Sequence, residues 1–220
     1  MTILDVSYHQ GEIDWAKVAA ADHVAWPGGA SRAPVEAAIV KATGEEIGRL
    51  FQDSAFKRNW LNARVAGVRR GAYHFMNGKA GTKGGRDEAL HFLDIVDQAG
   101  GFKEGDVLPV LDVEWPPQGG QHFEARQMDD YIITMQEQGH ATPILYSGRW
   151  YLDTIRDRDL TDFMKQCPLW LASYTPTCPK PPRPWDSVAL WQFTDKGRVD
   201  GIAGPVDLNQ RFADWGGLTL

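Results

Sequence analysis

Residues 108–115 read LPVLDVEW, with two carboxylates, Asp112 and Glu114, two positions apart in a run otherwise made of Leu, Pro, Val and Trp. Successive side chains of a strand point to opposite faces, so Asp112 and Glu114 share a face with Val110 while Leu111 and Val113 take the other. Two acids then project side by side from a mostly apolar strand. Mutual repulsion and partial desolvation both raise the pKa of at least one of them, and a raised pKa is how a protein keeps a carboxylic acid protonated near neutral pH. A lone D-x-E is nevertheless short and common. A strand end with both groups in water, or with one held by an Arg, accounts for most instances, so the remainder of the chain has to decide.

Strand-like runs recur at 2–8 (TILDVSY), 37–42 (AAIVKA), 71–76 (GAYHFM), 108–114 (LPVLDVE), 143–148 (PILYSG), 169–174 (LWLASY), 188–193 (VALWQF) and 205–210 (PVDLNQ). Helical patterns separate the early ones. Asp14 is placed to cap DWAKVAAAD; Phe56, Trp60 and Ala63 share a face, as do Met128, Tyr131, Ile132 and Met135. GGRDEALHFLDIVDQAG and GRWYLDTIRDRDLTDFMKQ complete the helical set. Beyond Cys167 the Pro-rich TPTCPKPPRPWD cannot hold a helix of any length, and the last strands follow through loops. The expectation is an α/β fold: an irregular TIM-like barrel of five β/α units followed by three strands with little helix. In such barrels the chemistry sits at the carboxyl ends of the strands. Asp112 and Glu114 lie at one such end, Asp5 at a second and Asp207 at a third, so four acids converge on one mouth.

The pattern consumes nearly the whole chain, which predicts one barrel domain over 1–220 with no second domain left over. AWPGGASRAP (25–34) reads as a surface insertion before the second strand. The net charge of −6 and a pI near 5.5 argue against nucleic acid or an anionic membrane as partner. No apolar run approaches the roughly 18 residues of a membrane span, and MTILDVSYHQ lacks the basic and apolar regions of an export signal. Cys167 and Cys178 are expected as free thiols, a disulfide between them being the alternative. Nine Trp, six Tyr and nine Phe are a heavy aromatic load, most of it core, and flat aromatic surfaces of this kind permit stacking on sugar faces without showing it.

DVSYHQGEIDW (5–15), IVKAT (39–43), GAYHF (71–75) and PVLDVE (109–114), followed by PILYS, LWLASY, LWQF and VDLNQRF, resemble in order the glycoside hydrolase family 25 lysozymes, the Chalaropsis-type N-acetylmuramidases. The resemblance implies an irregular barrel that hydrolyses the β-1,4 bond between N-acetylmuramic acid and N-acetylglucosamine in peptidoglycan. It matches Glu114 to the general acid, Asp112 to its partner, and Asp5 and Asp207 to two further acids of the site. One departure stands at Gly44, where the family commonly has Glu directly after KAT.

Glycosidic cleavage needs a proton for the leaving oxygen and negative charge opposite a developing oxocarbenium ion. Glu114 suits the first; Asp112 suits the second, directly or by polarising the sugar's 2-acetamido group, with net retention. Candidate substrate-binding groups at the strand ends are Lys41, Tyr73, Tyr146, Trp170, Tyr174, Trp191 and Gln192. His9 and His74 are read as structural. No cofactor and no metal is expected, and the partner is peptidoglycan glycan, met by a monomer acting on the bacterial wall in the manner of a phage endolysin. Two other classes stay open: a metal-dependent phosphodiester hydrolase, which a chelator would stop, and a catalytically inactive glycan-binding domain.

Overall fold

The structure, a computed structural model, describes residues 2–46, 48–76, 84–114, 125–155 and 161–220. Its strands in chain order are β1 (Thr2–Val6), β2 (Val24–Trp26), β3 (Gly29–Ser31), β4 (Val35–Glu46), β5 (Arg49–Gln52), β6 (Arg69–Phe75), β7 (Val110–Asp112), β8 (Ile144–Gly148), β9 (Leu169–Ala172), β10 (Leu190–Val199) and β11 (Val206–Arg211). Helices α1 (Trp15–Ala20), α2 (Phe56–Val65), α3 (Gly85–Gln98), α4 (Ala125–Glu137), α5 (Arg149–Leu152) and α6 (Asp162–Gln166) are set between them.

Eight strands close into a barrel. The order β1, β4, β6, β7, β8, β9, β10 is parallel throughout, and β11 seals the ring by pairing antiparallel with both β10 and β1. All eight strand runs read from the sequence belong to this ring. Alternation sorts their side chains: Ile3, Ile39, Val110, Ile144, Trp170 and Leu190 fill the interior, while Leu4, Val40, Leu111, Leu145, Leu171 and Trp191 face the outer layer that packs on the helices.

The expected helices are present where the apolar spacing was strongest. Asp14 caps α1, its carboxylate accepting from the Lys17 amide. Met128, Tyr131, Ile132 and Met135 form the buried face of α4. α3 and α4 approach closely at Gly85, where a Cβ would stand 1.9 Å from the Gln127 carbonyl oxygen. GRWYLDTIRDRDLTDFMKQ does not make one helix: α5 ends at Leu152, and α6 begins afresh after Thr161, whose hydroxyl accepts from the Met164 amide.

Three strands lie outside the expected set because long-range pairing, which local pattern does not encode, creates them. The 25–34 segment builds the β2–β3 hairpin, and β2 adds to the far half of β10. Trp26 packs edge-on against Phe193 there. β4 runs past the barrel and folds back onto β5. Two β arms therefore rise from the mouth.

Buried polar groups fasten helices to barrel. His74 turns outward from β6, between Thr43 Oγ1 (2.8 Å) and Glu88 Oε2 of α3 (2.7 Å), with Tyr131 of α4 stacked on its ring. Burial holds the imidazole down to about 3 and lifts Glu88 to about 8, so near neutrality both are uncharged and Glu88 donates to His74 Nε2. At the opposite end of the barrel, Leu220 and Leu218 exchange backbone hydrogen bonds with residues 105–108 and so close the floor. Nearby Arg70 bonds Asp106 through Nε and Nη2 at 3.1 Å and lies 3.6 Å from the Trp60 ring centre. Asp106→Ala leaves that guanidinium buried without its counter-charge and is expected to cost about 3–5 kcal/mol in urea unfolding. A variant as stable as its parent would show that the pair contributes nothing.

Candidate active site

Polar side chains gather on the inward face near the carboxyl ends of the strands. Asp5 ends the inner row of β1 and Asp112 that of β7, Tyr73 lies one inward step before the end of β6, Gln192 ends the barrel portion of β10, and β11 contributes Asp207. These residues line one cleft together with Glu114, Tyr146, Trp170, Tyr174 and Asp195. Strand β7 ends at Asp112, two residues short of the expected strand, yet the chain keeps its extended course. The Val113 amide donates to the Tyr146 carbonyl (2.9 Å), and Ser147 Oγ donates to the Val113 carbonyl (2.6 Å). Those two bonds keep Glu114 on the same side as Asp112.

Asp5 and Asp207 are cross-strand partners in the β1–β11 pair. Like charges placed directly opposite are destabilising, and here they are also out of water. The geometry resolves the conflict by sharing a proton. Burial, then the charge of Asp5, push the Asp207 carboxyl far up, and it donates to Asp5. Asn209 Nδ2 (2.7 Å) and Gln192 Nε2 (3.2 Å) give Asp5 Oδ2 two further donors. Burial still leaves Asp5 above its ordinary value.

The Gln192 amide cannot turn over freely. Its oxygen accepts from the hydroxyls of Tyr146 (3.0 Å) and Tyr174 (3.1 Å), which forces its nitrogen toward Asp5. Tyr146 Oη also lies 3.4 Å from Glu114 Oε2. Trp170 forms the floor of the cleft, its indole N–H given to Asn209 Oδ1 at 2.8 Å.

Asp112 is buried, and its Oδ1 has no hydrogen-bond partner among the described residues. Desolvation first, and then the charge of Glu114, lift its carboxyl well above the ordinary range, Lys41 pulling the other way. Glu114 is raised by burial and by Asp5, with Lys41 and the Tyr146 hydroxyl opposing. The Asp112 carboxyl lines the cleft, while its Oδ1 is shut off from solvent.

Two expected binding residues stand elsewhere. Trp191 alternates with Gln192 and so points away from the mouth; its indole N–H bonds the Ser173 carbonyl (2.8 Å) and its ring packs on Phe193. Lys41 faces the mouth side but is not in the cleft wall, its ammonium resting 4.6 Å from the Phe75 ring centre and 5.8 Å from that of Tyr73. From there it acts on the acids through its charge. Asp195 is an addition the sequence reading lacked. Strict alternation from Gln192 selects Thr194, but the β10–β11 register shifts between those two residues, and the shift turns Asp195 into the cleft. Cys167 and Cys178 are free thiols.

Against known proteins, the family model described as glycosyl hydrolases family 25 matches residues 4–202. The chain belongs to glycosyl hydrolase family 25. This family 25 chain is 31% identical to the Escherichia coli K12 protein YegX over 207 residues, which cover 94% of it and 67% of YegX. It is 29% identical to lysozyme M1 of Streptomyces globisporus over 94% of its own length and 66% of that protein's. Among solved structures, the spore cortex lytic enzyme SleM of Clostridium perfringens superposes with a TM-score of 0.79 at 25% identity, covering 99% of the family 25 chain and 69% of SleM. A bacterial lysozyme from Streptomyces coelicolor shares the fold, with a TM-score of 0.76 at 24% identity over 99% and 94% of the two chains.

A carboxyl whose folded pKa exceeds its unfolded value contributes most to stability below about pH 4, where it is protonated in both states. That contribution is lost as pH rises toward the folded pKa. In the family 25 hydrolase, Asp112→Asn removes such a group and is expected to raise the melting temperature by a few degrees near neutral pH, the gain shrinking toward about pH 4. A gain larger in acid than at neutrality would contradict the burial of an ionisable Asp112.

Proposed function

We propose that the cleft hydrolyses the β-1,4 bond between N-acetylmuramic acid and N-acetylglucosamine in peptidoglycan, as a monomer acting on the bacterial wall. The observation that carries this reading is the pairing of Asp112 and Glu114 in one cleft, both raised by burial and by neighbouring acids, within a family 25 barrel.

Glu114 is the general acid. Kept protonated by desolvation and by the charge of Asp5, it gives its proton to the leaving glycosidic oxygen. Asp112 serves the other side of the reaction. Two carboxyls at i and i+2 of one extended segment emerge on the same side of a bound sugar, which suits Asp112 to hold the 2-acetamido group and poorly suits it to attack from the opposite face. The acetamide carbonyl oxygen then attacks the anomeric carbon as the leaving oxygen departs, and water opens the cyclised sugar with net retention, a substrate-assisted course. The Asp112 carboxyl, which lines the cleft, is the acceptor for the acetamide N–H. Asp5 and Asp207 hold the negative field around Glu114 while sharing a proton, and Gln192, tied to Asp5 and to both tyrosine hydroxyls, fixes the wall against which the sugar lies. Tyr73, Tyr146, Trp170 and Tyr174 supply its aromatic and hydroxyl surface.

Glu114→Gln removes the transferable proton and little else, so it is expected to fold as its parent does and to lose on the order of 10² to 10⁴-fold in clearing a cell-wall suspension. In the parent enzyme, NMR of the fresh product is expected to show the β anomer. Wall clearing by the variant at the parent's rate would remove Glu114 from the role, and an α product would exclude the retaining course.

A further inference from the structure

The carboxyl end of β8 carries an aromatic ring that the scheme above leaves unused. Ile144 and Tyr146 face the barrel interior, and alternation puts Gly148 on the same face, one step nearer the opening. The space a side chain at 148 would fill is taken by Trp150. Atoms of its six-membered ring lie 2.1, 2.2 and 2.3 Å from where a Gly148 Cβ would stand, closer than any side chain at 148 could tolerate. The indole is thus folded back over the inner rim, seated on glycine backbone in the tier above Tyr146.

Its neighbours are fastened, while among the described residues no hydrogen bond holds Trp150. Arg149 Nε bonds Asp153 (2.8 Å) and Nη1 bonds the Lys180 carbonyl (2.6 Å), and Tyr151 is buried. Trp150 remains 53% exposed, so a large part of its ring looks into solvent at the rim. A tryptophan kept for core packing would be covered. One held against a glycine with its remaining surface in water is presented to a ligand. Tyr146, the next inward residue below Gly148, has its hydroxyl 3.4 Å from Glu114, so the glycine that seats the ring is one inward strand step, roughly 7 Å, from a residue beside the general acid.

We propose that Trp150 is a stacking platform for the glycan strand, the apolar face of a pyranose next to the cleaved bond lying on its indole. The proposal rests on the peptidoglycan reading and extends it to a residue outside the cleft wall. The test uses E114Q protein, which binds glycan without cutting it, titrated calorimetrically with an alternating N-acetylglucosamine–N-acetylmuramic acid tetrasaccharide. Adding Trp150→Ala is expected to weaken binding on the order of ten-fold, equivalent to about 1.4 kcal/mol, with Trp150→Phe recovering much of the loss. Gly148→Ala, whose methyl group unseats the ring, is expected to weaken binding as well, which keeps the proposal testable should the alanine variant at 150 fail to fold. Binding by the Trp150 or Gly148 variants as tight as by E114Q itself would overturn the platform. Failure of E114Q itself to bind the tetrasaccharide would instead overturn the peptidoglycan reading, and the platform with it.

Discussion

Four carboxylates, those of Asp5, Asp112, Glu114 and Asp207, are drawn largely out of water in a single cleft, and they cannot all carry charge there. Everything else at the mouth is arranged around that constraint. The antiparallel closure by β11 sets Asp207 opposite Asp5 and lets one proton serve both. Asn209 and Gln192 then hold Asp5, the tyrosine hydroxyls hold Gln192, and Lys41 lowers the burden on Asp112 and Glu114 from a distance. The cluster is unfavourable to build and chemically useful for the same reason: it keeps an acid protonated where water alone would have ionised it.

The framework that tolerates this cluster is stiff. Interior apolar side chains fill the barrel below the acids, with Trp170 as the floor of the cleft, and the C-terminal segment closes the far end. The outer layer is tied by the uncharged His74–Glu88 pair and by Arg70 with Asp106. The destabilising charges are thereby confined to one end, and the dry, hydrogen-bonded remainder of the barrel offsets their cost.

Much of this was legible in the sequence because strand alternation is a two-residue rule. Asp5, Asp112, Tyr73, Tyr146, Trp170 and Gln192 all fall on the inward phase of the strand runs. The same rule excludes Trp191, adjacent to Gln192, whose aromatic character had argued for the groove. Asp195 was not legible, since a register shift in the β10–β11 pairing is set by tertiary contacts and leaves no periodic trace. The arms built from β2, β3 and β5 were hidden likewise: each depends on a partner distant in sequence or on a strand extended past the barrel. Gly148 and Trp150 read separately as a strand end and a helix residue, and only the fold brings the ring onto the glycine.

The shared proton can be observed directly. With aspartate and glutamate side-chain carboxyls labelled with ¹³C, an NMR titration reports the ionisation of each group. The account predicts carboxyl signals that remain in the protonated range near pH 7, at least one of which disappears in Asp207→Asn. Ionisation of every carboxyl of the cluster below about pH 5 would contradict it.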